Sequence, residues 1–490
     1  MSVIDGEEKG SIEKGIVEAE TSSNEVALFV IDPAKDKKLW RKLDRNLMPV
    51  VSVLFLLSFL DRANIGNAFA AGLIKDLHLV GLQSNIASMV FYLTYSTFEV
   101  PANMLMKLIR PRFWIPSTML AWGFVLTMFC LIKNYHQLIV ARLFLGIAET
   151  GIFPGALYYI SLWYPRNEQA YRVGIFFSIA VTGVAFGGIL AFGISHMEGV
   201  GGLHGWAWIF GLEGIATVLF SIVAFCTIHD YPETASFLDE DERQYLIERL
   251  RHDRSHLSTH FDMQFIWQAF KDWKIYGQIG VYIGFLIPVY ALALFLPTII
   301  TELGFTAAQA QLLTVPPYII AMPLTMYTSI ISDRRALRGP FLLFWTAVGI
   351  AGFAILFSTA HPWVAYVGSV IGAIGAVSPV PASLAWAGNN CAGDLKRAIG
   401  LAIVLGGANV FGIIASFTYR ASEAPRYRTG HAIVMGFMSL SFLLSCFMMF
   451  MYNRINKQRD EQCRREKIDE SRREEFKDMG DASPLFRYTL

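Results

Sequence analysis

The sequence predicts an all-α, polytopic membrane protein with twelve transmembrane helices in two pseudo-symmetric halves of six. Three observations carry this. Residues of the AVILMFWYC set make up 54% of the 490 positions and charged residues only 17%, against a usual charged share of about 25%. Twelve apolar stretches are each close to the ~20 residues a helix needs to cross a bilayer. Polar punctuation in the first half returns in the second at a nearly constant offset.

Mean hydropathy is +0.43, too apolar for a soluble globule of this size. A net charge of +1 excludes a basic nucleic-acid binder. The five cysteines are scattered and show neither a disulfide framework nor metal-ligand spacing, so no metal or cofactor is expected. Residues 1–46 are polar and form a tail without the apolar core of a cleavable signal peptide.

The twelve stretches are 47–70, 84–106, 113–132, 137–161, 173–195, 207–229, 276–301, 309–331, 340–359, 363–387, 398–419 and 432–452. The ~10-residue alternating segments of a membrane barrel do not occur. Trp114, Trp163, Tyr164, Trp206, Trp208 and Trp363 stand near span ends, as interfacial anchors do. The loops after even-numbered spans hold Lys107, Arg110, Arg112, Arg166, Arg172, Arg334, Arg335, Arg338, Lys396 and Arg397. The opposite loops hold half as many: Lys75, Lys133, Arg420, Arg426 and Arg428. The positive-inside rule then puts both termini in the cytosol.

The expected division is a tail (1–46), a six-helix bundle (47–229), a cytosolic linker (230–275), a second bundle (276–452) and a solvated, partly helical cytosolic tail (453–490). The linker predicts an amphipathic helix, with Asp239 and Glu242 at capping-box spacing and Leu246, Ile247 and Leu250 as its stripe. His252, His256 and His260 recur there every fourth residue, which suits a solvated face or, alternatively, a metal site.

Pro154 and Pro379, and likewise Arg172 and Arg397, lie 225 positions apart. Lys107 and Asp333, and Arg112 and Arg338, lie 226 apart. This is the mark of a parallel repeat, and the two prolines should kink the fourth and tenth spans.

Ionisable residues within spans are costly and tend to be functional. The first span contains Asp61-Arg62. The fourth contains Arg142 and Glu149, seven residues apart on one helical face. Measured from the outer helix ends, Asp61, Arg142 and Glu149 lie at roughly 13 Å, roughly 8 Å and roughly 18 Å depth. Two acids and two bases at overlapping depths can pair across the spans. Two readings follow: a static network that pins helix packing, or a switch in which an anion claims an arginine and the freed acid takes a proton. Glu99 and Glu213 are further acids within spans, suited to bonding a neighbouring helix. Polar and aromatic candidates in the second half are Tyr282, Tyr290, Tyr318, Ser378, Trp386, Asn389, Asn390 and Asn409.

Ser329-x-x-Ser332-Asp333-Arg334-x-x-x-Arg338 resembles the signature loop of the major facilitator superfamily. The first-half counterpart has Lys107 where an acid is usual, with Arg110 and Arg112 kept. Phe59-Leu60-Asp61-Arg62-Ala63-Asn64-Ile65-Gly66-Asn67-Ala68 resembles the first helix of the anion:cation symporter branch, particularly the fungal allantoate permease-like carriers. Glu99-Val100-Pro101-Ala102-Asn103, the stretch Ala141 to Glu149, Ser161-Leu162-Trp163-Tyr164-Pro165-Arg166 and Ala424-Pro425-Arg426-Tyr427-Arg428 fit the same branch.

The resemblance implies a major facilitator fold and proton symport of a small organic anion such as a vitamin, ureide or sugar acid. It implies that Arg62 binds a substrate carboxylate, with Asp61 and Glu149 as proton-coupling acids and Arg142 as their partner. Asn64, Tyr92, Tyr282, Tyr290, Trp386 and Asn409 are the candidate substrate contacts. Lys107, Arg112, Asp333, Arg334 and Arg338 are the candidate gating residues. A monomer in the plasma membrane is expected. An ATP-driven pump is disfavoured, since no G-x-x-x-x-G-K-[ST] loop exists, and no constellation suggests an enzyme. An anion channel and a transporter-like sensor remain the alternatives.

Overall fold

The computed structural model describes residues 32–255, 263–335, 337–359, 361–391, 394–469, 476 and 479–490. The described residues are helical or irregular, with no strand among them. The linker histidines His256 and His260, and the side chain of His252, lie outside the described residues.

Helices cover all twelve expected stretches. The first seven are α1 (Pro33–Ala70), α2 (Gln83–Leu108), α3 (Pro111–Met128), α4 (Tyr135–Glu149), α5 (Ile152–Trp163), α6 (Arg166–Ser195) and α7 (Gly205–Thr227). The linker holds α8 (Glu240–Ser255) and α9 (Met263–Lys271). The second half contains α10 (Trp273–Glu302), α11 (Ala307–Leu313), α12 (Val315–Arg335), α13 (Gly339–Ser358), α14 (Pro362–Val377), α15 (Val380–Asn389), α16 (Asp394–Asn409), α17 (Gly412–Ser416) and α18 (Arg428–Glu466). Among the described residues, eight segments are long and apolar enough to cross a membrane by length and composition. The other four expected spans are α2, α4–α5, α6 and α11–α12, which carry charged residues or a helix break.

The proline expectation needs correction. In the tenth span the break falls at Ser378-Pro379, between α14 and α15. In the fourth it falls at Thr150-Gly151, ahead of Pro154, which sits in the first turn of α5. A first-turn proline lacks only an N–H that has no partner there anyway, so it starts a helix rather than kinking one. The break belongs to Gly151, whose φ of +86° is left-handed; a Cβ there would also lie 2.9 Å from that of Ala102.

Within the first half, α1 packs on α6, α2 on α4 and α3 on α7. Within the second, α13 packs on α14 and α18, and α10 on α16 and α18. The α13–α14 contact is backbone to backbone: a Cβ on Gly375 would stand 2.3 Å from the Gly349 nitrogen. The halves meet through α1 with α10 and α6 with α11 and α12. At the end away from the linker this contact is tight. Asn85 donates to the carbonyls of Ser416 and Tyr419 at 2.7 and 2.9 Å, and a Cβ on Gly66 would meet the Leu294 carbonyl at 2.5 Å.

Residues 453–466 continue the last helix and are largely exposed, as expected of a solvated, partly helical tail; residues 33–46 and 479–490 depart from expectation. The helix of the first span begins at Pro33, capped by Asp32, which accepts from the Ala34 N–H at 2.8 Å. Its polar first turns dock on α8: Lys42 bonds Glu242, and the Tyr245 hydroxyl donates to Asp36 at 2.8 Å. Residues 479–490 are packed rather than solvated. Tyr488 stacks on Tyr452 with ring centroids 4.8 Å apart. The Thr489 carbonyl accepts from the Trp386 indole at 2.8 Å, and the Leu490 carbonyl from the Arg338 N–H at 2.6 Å. Asp481 lies 2.9 Å from Lys274 and 2.5 Å from Lys396. Mixed charge predicted solvation, but here the charges pair with complementary groups at the helix ends.

Burial pushes the Asp481 carboxyl up, but the two ammonium groups outweigh it and hold the carboxyl below its ordinary range. A depressed carboxyl stabilises the fold above its unfolded pKa, and that stability is lost as pH falls through the folded value. Asp481→Asn is therefore expected to cost about 2 kcal/mol at neutral pH. In thermal unfolding of the full-length protein, its deficit against wild type should vanish on acidification below the ordinary carboxylate range.

Candidate functional site

The site is built around one turn of α1 and the end of α4. Ser58 and Arg62, four residues apart, share the face of α1 that meets α4. The Ser58 hydroxyl donates to Glu149 Oε1 at 2.5 Å, and Arg62 Nε donates to the same oxygen at 2.7 Å. Glu149 is 0% exposed and is the last residue of α4. A carboxylate at a helix C-terminus faces the negative end of the helix dipole, so it needs this guanidinium and hydroxyl to sit there. Its second oxygen, Oε2, has no partner among the described residues. Nor does Arg62 Nη2, whose guanidinium lies over the Tyr95 ring, 4.6 Å from its centroid.

Asp61 and Asn64 occupy the other face of α1. The Trp122 indole donates to Asp61 Oδ2 at 2.8 Å. The Asn64 amide donates to Asp61 Oδ1 at 3.5 Å and makes a closer bond to Glu213 of α7. Arg142 is buried between the Phe91 and Phe129 rings at 5.9 and 5.6 Å, and its Nε and Nη2 have no partner among the described residues.

The single four-charge cluster expected from the sequence thus divides. Arg62 and Glu149 pair. Asp61 turns to Trp122 and Asn64. Arg142 forms no ion pair among the described residues. Consecutive residues on a helix point about 100° apart, so Asp61 and Arg62 face different neighbours.

A cavity with about 800 Å³ of empty space, part of it open to solvent, lies between the halves. The first half contributes Arg62 with Phe55, Phe59, Tyr95, Phe153 and Val184. The second contributes Tyr282, Tyr290, Tyr318, Asn409 and Thr325, with aliphatic residues from α10 and α14–α16. Arg62 is the charged residue of this lining; the rest is aromatic, aliphatic or neutral polar. The Tyr290 hydroxyl donates to Asn409 Oδ1 at 2.9 Å, and the Asn409 amide donates to Glu99 at 3.4 Å, which joins α10 and α16 to α2.

Of the expected contacts, Arg62, Tyr282, Tyr290 and Asn409 line the cavity. Three do not. Asn64 faces Glu213. Tyr92 lies behind Tyr290, with ring centroids 4.9 Å apart. Trp386 is committed to the C-terminal segment. Asn389 and Asn390 are likewise structural, bonded to Arg397 and Thr489. Ser58, Tyr95 and Trp122 were missed. Ser58 could have been found from its place one turn before Arg62, whereas nothing in the sequence separates Trp122 from a lipid-facing indole.

Among the gating candidates, Arg338 donates to Ser332 at 2.9 Å. The Arg112 backbone N–H donates to Asp230 at 3.0 Å, which ties α3 to the start of the linker. Arg334 is exposed. The side chains of Lys107 and Asp333 lie outside the described residues.

The described helices form an apolar bundle with a cavity between its two halves, the architecture expected of a membrane transporter. The chain belongs to the Major Facilitator Superfamily, which matches residues 51–416. It is a multi-pass transport protein, not an enzyme. It is 34% identical over 511 residues to the MFS-type transporter cnsO of Penicillium expansum, covering 100% of this chain and 98% of that one. It is 33% identical to the high-affinity nicotinic acid transporter of Saccharomyces cerevisiae, over 86% of this chain and 79% of that protein. Among solved structures, a bacterial homolog of the human lysosomal transporter Spinster, inward-facing and unoccupied, superposes with a TM-score of 0.66. The identity is 15%, over 86% of this chain and 98% of that one. A D-xylose-proton symporter superposes at 0.59 with 14% identity, over 82% and 96%.

Proposed function

We propose that this transporter takes up a small organic anion together with protons, by alternating access of its two halves around the central cavity. The observation that carries this reading is the Arg62–Glu149 pair beside a cavity otherwise lined by uncharged groups. An entering carboxylate has one cationic group to meet on that lining, and Arg62 Nη2 is unclaimed. As the anion takes the guanidinium, Glu149 loses its charge partner in a low-dielectric site and gains by accepting a proton. Anion and proton then cross together.

The lining also favours a substrate type. Phe55, Phe59, Tyr95, Phe153 and the second-half tyrosines offer ring faces and few hydrogen-bond partners. A planar aromatic monocarboxylate fits this surface better than a polyhydroxylated sugar acid, whose hydroxyls would be left unpaired. Nicotinic acid, named for one relative, is such an anion.

The remaining expectations belong to the same reading. Residues 47–229 and 276–452 act as the two moving bundles, with residues 230–275 as the linker between them. The linker side and both termini face the cytosol, and the membrane is the plasma membrane. Arg112, Arg334 and Arg338, with Lys107 and Asp333, gate the cytosolic side. The transporter works as a monomer.

Arg62→Ala should abolish uptake of radiolabelled anion, by 100-fold or more (on the order of the ~3 kcal/mol of a lost charged contact), with normal expression. Wild-type uptake by this variant would refute the binding role. Glu149→Gln should lose accumulation against a gradient while keeping anion exchange; acid-driven accumulation in it would remove Glu149 from coupling. Uptake of nicotinate, benzoate and gluconate at two external pH values should favour the two aromatic anions, more strongly at the lower pH. Preference for gluconate would overturn the aromatic assignment.

A further inference from the structure

We infer that Asn85, Tyr92 and Glu99 are positioning residues, a stripe of α2 that sets the closed contact between the halves, and that Asn409 joins this seam to the cavity. The inference rests on the alternating-access reading above, in which the halves part first at one end and then at the other.

The stripe follows from helix geometry. Residues seven apart lie on one face of a helix, so Asn85, Tyr92 and Glu99 leave α2 in the same direction. All three are buried, at 1%, 4% and 8% exposure. That face of the first half meets α16 and α17 of the second. Glu99 accepts at 3.4 Å from the amide of Asn409, the last residue of α16. A Cβ on Gly412, the first residue of α17, would overlap the Tyr92 ring. Asn85 donates to the carbonyls of Ser416 and Tyr419 at 2.7 and 2.9 Å. The partners ascend in number as the α2 residues descend, so the two lines run antiparallel and match along their length.

The outer bonds have a physical reason. The last carbonyls of a helix find no partner within it. Ser416 ends α17, and Asn85 brings the missing donor from the other half. Tyr419 is held in place, with its hydroxyl bonded to His431 of α18 at 3.0 Å and its ring 5.6 Å from that of Phe295. Asn85 therefore meets a fixed backbone edge. The adjoining closures differ in kind. Gly66 against the Leu294 carbonyl and Gly188 against the Gln311 carbonyl bring backbones together by shape. The α2 stripe adds hydrogen bonds that must break before the halves part.

The inner end of the stripe reaches the transport site. Asn409 lines the cavity, its Oδ1 taken by the Tyr290 hydroxyl and its amide by Glu99. A substrate that claims this amide removes the inner bond of the seam. Tyr92, packed between Tyr290 and Gly412, carries the disturbance outward along the same face.

Electron–electron resonance distances test the seam in the full-length protein in lipid nanodiscs. Spin labels are carried on unnatural amino acids at Val80 and Ser422, which are exposed, lie on opposite halves and flank the seam. Without any anion, the wild type should show mainly the short distance. Asn85→Ala should raise the ratio of long to short distances about tenfold, the worth of a lost pair of hydrogen bonds. Glu99→Ala should shift it the same way. Glu99→Gln should match wild type, because its amide oxygen still accepts from Asn409. Gly412→Ala keeps every hydrogen-bonding group and should widen the distance by pressing on Tyr92, so it carries the test if Asn85→Ala does not fold. Wild-type distributions in Gly412→Ala and Glu99→Ala overturn the inference. A Glu99→Gln distribution like that of Glu99→Ala overturns the Asn409 bridge. Nicotinate added to wild type should raise the long-distance share. No response to nicotinate, with the variants widened, would refute the aromatic-anion reading and leave the seam standing.

Discussion

The structure depends on a guanidinium and a carboxylate held together away from water. Burying either alone would cost several kcal/mol, so Arg62 and Glu149 must meet and the helices carrying them must stay in register. Ser58 supplies the hydroxyl that shares the carboxylate. The Thr150-Gly151 break ends α4 at Glu149, which places the acid at a helix terminus beside the cavity rather than within a continuous span. Among the described residues one donor on Arg62 and one acceptor on Glu149 have no partner, and the proposed exchange of partners draws on both.

The rest of the bundle supports that site by different means at different levels. Glycines bring helix backbones together where side chains would hold them apart, at Gly349 with Gly375 and at Gly66 with Leu294. Near the linker side, ion pairs join the first and fifth span of each half: Arg172 with Asp44 at 2.8 Å, and Lys396 with Asp272 at 2.7 Å. These pairs are a structural echo of the repeat seen as a constant offset in the sequence. The linker helix binds the start of α1, and the C-terminal segment binds the ends of α10, α15 and α16 and the Arg338 loop. Each half therefore has a polar collar on that side.

Composition and hydropathy along the chain were enough for the fold class, the twelve stretches and the residues Arg62, Glu149, Asp61 and Arg142 as the unusual charges. Those features are one-dimensional. Hydrophobic length is set by bilayer thickness, and a charge in an apolar run is conspicuous whatever surrounds it. Which charges meet became visible in three dimensions. Asp61 and Arg62 are neighbours in sequence but point to different helices, so one turns to Trp122 and Asn64 and the other to Glu149. The folded chain also shows that Trp386 serves the C-terminal segment rather than the cavity, and that a segment of mixed charge is packed rather than solvated. Pairing depends on which helix faces stand opposite one another, and packing sets that only once all the helices are in place.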